Sequence, residues 1–180
     1  LGWDGLIHLP LIDNTAQRIA HSSTITAAAY NLNLARIGRY AVPRRRSDVV
    51  YIVDVNTGVR SWTIEEVETV DKAGGRATIS VGELSQLYGT PLIRSEQMKL
   101  ADTDGKVTDS GGNTTGRILC LNTTQWRVGF RRQIEVETER EAGKGQTTMY
   151  VSFRIALTER SGTRSSATHT SLSYDISGVA

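Results

Sequence analysis

Val81-Gly-Glu-Leu-Ser-Gln-Leu-Tyr-Gly-Thr-Pro-Leu-Ile-Arg-Ser-Glu-Gln-Met98 is the stretch from which the fold is read. Leu84, Leu87 and Tyr88 recur at helical spacing and stop at Gly89, which predicts one short helical turn. Pro91 lacks an N–H and biases Thr90 towards an extended backbone, so a helix cannot continue. Leu92 and Ile93 then read as a strand, which Ser95-Glu96-Gln97-Met98 leaves in polar company. The chain breaks sharply here and re-enters a sheet.

Upstream, Val49-Val50-Tyr51-Ile52-Val53 is a run of β-formers between polar residues, the pattern of a buried central strand. Before it, Ala27, Tyr30, Leu34 and Ile37 share one helical face after Thr24 or Thr26, predicting a helix over about 26–38 that Gly38 terminates. Asn56 or Thr57 caps a second expected helix over about 57–68, with Val59 and Trp62 facing inward. Residues 1–14 read as an irregular packed entry, and 71–76 as a loop containing Gly74-Gly75.

Downstream, 102–116 is the most loop-like segment, followed by a strand at 117–121, a turn at 122–125 and an extended stretch at 126–131. Ile134, Val136 and Thr138 alternate with Glu135, Glu137 and Glu139. Beyond Ala142-Gly-Lys-Gly-Gln146, Met149, Val151, Phe153, Ile155 and Leu157 alternate with Tyr150, Ser152, Arg154, Ala156 and Thr158. Strict period two on both sides of a Gly-rich tip predicts a long antiparallel hairpin over 133–158. Its apolar face is expected to be buried through Val151, Phe153 and Ile155, and its polar face to pair Glu with Arg154 across the strands. A weak strand is expected at 172–176. Helices and strands first, then strands, give an α+β chain of two lobes.

Composition narrows the function. The chain has 180 residues, 38% hydrophobic, with a net charge of +2. That total implies no strong field for nucleic acid or an acidic partner. One cysteine, Cys120, sits in an apolar strand and excludes an internal disulfide framework. No apolar run approaches the ~20 residues that cross a bilayer, and no signal peptide opens the sequence. Asn113 and Asn122 begin chance Asn-x-Thr sequons in a Thr-rich chain.

Motifs that carry chemistry elsewhere fail here on spacing. Gly143-Lys144-Gly145 resembles a phosphate loop, but Thr138 stands where the first glycine is required and a strand follows in place of a helix. Asp102-x-Asp104-Gly105 lacks the remaining acids of a calcium loop, and Asp109 is misplaced. His8, His21 and His169 show no ligand spacing, and Glu65, Glu66 and Glu68 read as a solvated helix face. Glu135, Glu137 and Glu139 on one strand face put carboxylates about 7 Å apart, within reach of glycoside hydrolysis. This leaves a small hydrolase as one alternative. Arg44-Arg45-Arg46 after Pro43 is the compact basic cluster, a candidate contact for phosphates or a neighbouring chain. No catalytic, cofactor or metal site emerges.

The stretch Gly89-x-Pro91-x-x-x-Ser95-Glu96-Gln97-Met98 resembles a signature of tailed double-stranded-DNA bacteriophage major capsid proteins of the Hong Kong 97 type. Further blocks follow in the same order: Gly2-Trp3-Asp4-Gly5, Arg36-Ile37-Gly38-Arg39-Tyr40, Asp48 to Val53, Thr69-Val70-Asp71-Lys72, Thr78-Ile79, Gly116-Arg117-Ile118-Leu119 and Val128-Gly129-Phe130-Arg131-Arg132. The resemblance implies a mixed sheet with flanking helices, an axial lobe at 15–95. It implies a peripheral lobe from 1–14 and 96–180 that carries the hairpin. It also implies a shell subunit that acts by self-assembly into pentamers and hexamers around double-stranded DNA, bound without sequence preference. Such a subunit has no enzymatic role, cofactor, small-molecule substrate or membrane partner, is assembled in the bacterial host cytoplasm and resides in the virion. A nanocompartment shell of the encapsulin kind shares the fold and is the nearer alternative. The family's N-terminal arm, extended loop and spine helix find no counterpart in these residues, so the isolated chain is expected to remain largely monomeric.

Overall fold

The computed structural model describes residues 5–42, 48–82, 84–160 and 163–180, with only the backbone described at 79, 80, 132 and 133. The core is a six-stranded mixed sheet. Its strands are β1 (Arg18–Thr24), β2 (Val49–Val53), β3 (Gln86–Leu87), β4 (Thr90–Arg94), β5 (Gly116–Asn122) and β8 (Thr170–Ser177). The spatial order is β1-β8-β5-β2-β4-β3. β1 runs parallel to β8 and β2 parallel to β4, and the other neighbours are antiparallel. A second sheet holds only β6 (Trp126–Glu141) and β7 (Gln146–Glu159).

Alternation sorts the core onto the two faces of the large sheet. Val49, Tyr51, Val53, Ile118, Cys120 and Ile176 meet Tyr30 and Ile37 of helix α1 (Ala27–Ile37). On the other face, Val50, Leu119, Leu121 and Leu172 meet Leu11 and Met98, with Leu6 and Ile7 beside them. The first face is closed by a helix and the second by irregular chain. Both being covered, β5 is buried along its whole length. Burial pushes the Cys120 thiol up to about 12, so it stays protonated.

α1 matches the sequence expectation, with extended Thr26 before it and Gly38 at φ +53 ending it. The helix expected over 57–68 is broken into α2 (Val55–Arg60), a 3-10 turn at Ser61–Thr63 and α3 (Glu65–Glu68). Its cap is Asp54, whose carboxylate accepts from the Thr57 N–H at 2.8 Å and the Thr57 hydroxyl at 2.6 Å. Small polar residues turn inward: Thr57, Gly58 and Ser61 are buried while Val59 is exposed. The Ser61 hydroxyl meets Tyr30 Oη at 2.5 Å, and Trp62 packs half-buried against the core as expected while Val59 does not. Two further single turns, α4 (Val70–Ala73) and α5 (Thr78–Val81), follow.

The organising stretch also differs from expectation. In place of a helical turn, Gln86–Leu87 and Thr90–Arg94 form a tight hairpin with Gln86 opposite Pro91. Tyr88 (φ +50) and Gly89 (φ +72) supply the two positive-φ positions that a primed two-residue turn needs. The tail expected as a weak strand is β8, buried between β1 and β5. β1 was not foreseen; its register shift between Ala20 and Ser23 breaks the period-two pattern. β5 and β8 both lie downstream of residue 95, yet they fill the middle of the sheet beside β2.

Candidate assembly surfaces

The 126–159 hairpin is longer than the 133–158 reading, and its tip falls where expected. In the register, Val128 faces Leu157, Phe130 faces Ile155, Val136 faces Val151 and Thr138 faces Met149. Partners opposite each other share a face, so these residues make one apolar side, joined by Ile134 and Phe153. The other side carries Glu135 opposite Ser152, Glu137 opposite Tyr150 and Glu139 opposite Thr148.

The expected burial does not occur. Every residue from Arg127 to Arg154 whose side chain is described is exposed, with Phe130 at 70%, Ile134 at 73% and Phe153 at 60%. Alternation showed which side chains share a face, but no described residue buries that face. Among the described residues, no ion pair joins Arg154 to a glutamate of β6. Register shifts between Phe130 and Arg132 and between Arg132 and Glu135 bring Arg154 opposite Arg132. The charged side is thus sorted lengthwise, basic at the root (Arg127, Arg154) and acidic towards the tip (Glu137, Glu139). Among the described residues, no ion pair engages these four.

The root is anchored in the body. His169, fully buried beside β8, has Nε2 3.0 Å from Glu159 Oε2 and Nδ1 3.0 Å from Thr170 Oγ1. Trp126 and Tyr40 stand edge-on to its ring at 5.5 and 5.9 Å. The Trp126 indole N–H donates to Thr170 Oγ1 at 3.1 Å. Arg164 lies 3.6 Å from Glu159 and 3.4 Å from Asp13. Burial holds the His169 pKa below its usual value against the opposing pull of Glu159. A network of this kind stiffens the joint between ribbon and body.

Beside the root, a polar cavity of about 290 Å³ is lined by Arg39, Tyr40, Asp48, Asn122 and Arg160 among others. Arg44, Arg45 and Arg46 lie outside the described residues; Val42 and Asp48 belong to this cavity's lining. The signature residues shape a turn. The Ser95 N–H donates to the Val53 carbonyl at 2.9 Å, and Ser95 Oγ accepts from the Gln97 N–H at 3.3 Å. Glu96 and Gln97 are exposed, while Met98 drops under the sheet, 5% exposed. There it borders an apolar cavity of about 350 Å³ with Leu6, Ile7, Ile52 and Leu119.

Sequence reasoning missed a buried polar cluster that fixes this corner of the sheet. Asp54 accepts from the Arg117 N–H at 3.4 Å, and Arg117 donates to the Gly105 carbonyl at 3.1 Å and the Lys99 carbonyl at 2.5 Å. Burial lowers the Arg117 pKa, opposed by Asp54. An Asp directly before a helical run was the available signal. Among the described residues no group of three acidic, His or Cys side chains is placed to hold a metal ion. The strand carboxylates of the hydrolase alternative stand on the open ribbon, without the enclosing cleft such chemistry uses.

The fold of this body and ribbon is that of phage capsid structures. A structure from Mycobacterium phage Che8 superposes at a TM-score of 0.63 with 14% identity, covering 93% of this chain and 56% of that one. The bacteriophage PhiM1 mature capsid gives 0.61 with 8% identity, covering 87% and 50%. The capsid of an empty GTA particle gives 0.55 with 14% identity, covering 93% and 55%. The chain spans about half the length of these neighbours. No family model and no curated protein matches the sequence.

Proposed function

We propose that this chain is a structural subunit of a phage-type icosahedral capsid. It assembles with copies of itself into pentamers and hexamers that enclose double-stranded DNA in the virion, and it has no enzymatic role. The observation that carries the reading is the fold, a mixed-sheet body with a long two-stranded ribbon, which phage capsid structures share over 87–93% of this chain. Large apolar side chains held in water are tolerated where assembly removes them from it. The six-stranded body corresponds to the axial-type lobe and the ribbon to a projecting peripheral element.

Arg44, Arg45 and Arg46 serve as a non-specific contact to packaged DNA or to a neighbouring subunit. The support is that Arg39 and Arg160 line the same cavity as Val42 and Asp48, the described residues that flank this segment in sequence. Gly89, Pro91, Ser95, Glu96, Gln97 and Met98 act structurally, by setting the turn that seats Met98.

The test is fractionation of a culture that produces the protein on a density gradient. Peptides of this chain are expected to dominate the band of DNA-filled particles. Finding them only in the unassembled fraction would overturn the reading. A DNA-free particle band loaded with protein cargo would instead identify a nanocompartment shell.

A further inference from the structure

We infer that His169 is a proton-operated latch, which clamps both strands of the ribbon to the body and releases them on acidification. Every group in the latch belongs to one subunit, so it stands or falls independently of the capsid reading.

The register puts both strands within reach of one imidazole. Trp126, the first residue of β6, stands directly opposite Glu159, the last residue of β7. Trp126 donates its indole N–H to Thr170 Oγ1, and the Glu159 carboxylate meets His169 Nε2. His169 and Thr170 are fully buried at the entry of β8, which lies between β1 and β5 in the sheet. One dipeptide of the body therefore holds both strands where the ribbon leaves it.

Chemistry fixes the directions of these hydrogen bonds. A carboxylate only accepts, so His169 Nε2 carries the proton that points at Glu159 Oε2, 3.0 Å away. The other nitrogen of a neutral imidazole is an acceptor, and Nδ1 takes the Thr170 hydroxyl proton at 3.0 Å. That leaves a lone pair of Thr170 Oγ1 for the Trp126 N–H at 3.1 Å. From Glu159 Oε2 to Trp126, each donor meets one acceptor.

A second proton on the ring breaks this order. Imidazolium donates from both nitrogens and accepts at neither. Nδ1–H then competes with the Trp126 N–H for one oxygen, and the Thr170 hydroxyl proton loses its acceptor. Thr170 Oγ1 has no other hydrogen-bond partner among the described residues. A buried donor without a partner is costly. The closed joint therefore resists the proton, and acid favours an open joint in which water solvates the ring. Burial acts in the same direction, holding the His169 pKa below 6.5 against the pull of Glu159.

Charged groups reach the ring from each neighbouring element. Glu159 faces it from β7, and Arg164, in the turn Arg164–Ser166, lies 3.6 Å from Glu159. Arg164 also lies 3.4 Å from Asp13 on the entry segment, and His8 Nδ1 is 4.0 Å from Asp13. Tyr40 stands edge-on to the imidazole, with Arg39 over the tyrosine ring at 4.9 Å. Glu159 favours the imidazolium and Arg164 opposes it.

Nitrogen–proton NMR spectra of the purified chain test the latch across about pH 8 to 5, where an imidazole changes charge. Trp126→Phe assigns the indole resonance. The Trp126 indole N–H is expected to shift in a one-proton transition with its midpoint below 6.5, while the Trp62 indole does not. The Arg160 amide, bonded to the Gln125 carbonyl at the root, reports opening by hydrogen exchange. Its protection factor is expected to fall by up to tenfold per pH unit, the limit for one linked proton, while that of β5 holds. Glu159→Gln keeps an acceptor and removes the charge that favours imidazolium, so the midpoint is expected to drop. His169→Gln is expected to abolish the transition and His8→Gln to leave it in place. Thr170→Val, which removes the shared oxygen, is expected to uncouple the indole from the ring.

A transition that survives in His169→Gln would belong to another group and overturn the proposal. Arg160 protection that falls only together with that of β5 would also overturn it, because the joint would then open only on global unfolding. If His169→Gln does not fold, the other two variants decide: an indole shift unchanged in both Glu159→Gln and Thr170→Val would refute the latch.

Discussion

Phe153→Ala separates a face that waits for a neighbour from one buried on folding. Full burial of a large apolar side chain contributes about 1.5–3 kcal/mol. Phe153 keeps 60% of its exposure in the folded subunit, so folding withdraws only the remaining two-fifths. The expected cost in the isolated subunit is therefore about 1 kcal/mol. Opening of the ribbon alone also need not open the body, which reduces the effect on the global midpoint further. Ile118, fully buried in β5 against α1, is the control, and Ile118→Ala is expected to cost ~2–5 kcal/mol. Urea denaturation followed by far-UV circular dichroism, at a concentration where the chain is monomeric, measures both. Sedimentation of the same variants is expected to rank them oppositely, with Phe153→Ala impairing association while Ile118→Ala reduces folded protein. Equal losses of stability in the two variants would show that the ribbon face is covered within one subunit. The exposure argument would then fall.

Three further variants test the body and the ribbon tip. A Cβ on Gly116 would meet Thr57 Oγ1 at 2.0 Å, inside the Asp54 cluster, so Gly116→Ala is expected to cost ~1–3 kcal/mol in urea melts. Gly143→Ala at the open tip should change nothing measurable, since no atom lies within 4 Å of its Cβ position. His169 has a folded pKa below its usual 6.5, so the unfolded chain binds the proton more tightly. Its contribution is complete above pH ~6.5 and is lost as pH falls through that value towards the lower folded pKa. Urea midpoints across this window are expected to fall less steeply in His169→Gln than in the parent, and identical slopes would refute the assignment.

Much of the body was legible because its signals are local. Val49 to Val53 is a run that only a strand buried on both faces accommodates, and Ala27 to Ile37 keeps one apolar stripe between a cap and a glycine. Errors arose where a local pattern supported two outcomes. Leu84, Leu87 and Tyr88 fit a helical turn, but the positive φ at Tyr88 converts the stretch to a hairpin. A non-glycine residue there gives no compositional warning. β8 read as weak because its serines alternate with apolar residues. Ser171 and Ser173 are nevertheless buried, donating to the Asn33 carbonyl and accepting from the Asn33 side chain, respectively. The assembly surface was half legible. Period two identified the members of the apolar face from Met149 to Leu157, but burial depends on what lies opposite, and no pattern within the strand encodes that. The bulges near Arg132 were invisible for the same reason, so the pairing of Arg154 was misread.

An isolated two-stranded ribbon is at best marginally stable in water. Here two strands of 16 and 14 residues extend from a body that holds only their root, through Trp126, Glu159 and His169. Their outer edges carry unpaired backbone groups, a template for unwanted strand addition. The register shifts beside Arg132 and the glutamates on the charged side counter this, since bulges twist an edge and like charges repel an added strand. Both devices weaken the ribbon while they protect it. In the proposed capsid its ordering is expected to be coupled to contact with whatever covers it, with part of the contact energy offsetting the entropy of fixing it. Each contact is then weaker than its area suggests, which keeps association reversible until many contacts act together. Hydrogen exchange tests this coupling. In the dissociated chain, amides from 128 to 157 are expected to exchange far faster than those of β5 and β8, which should exchange only through global opening. On assembly the ribbon amides should slow by orders of magnitude while β5 and β8 change little. Ribbon amides already as slow as β5 in the monomer would show that the ribbon is rigid before it finds a partner, and the coupling would not exist.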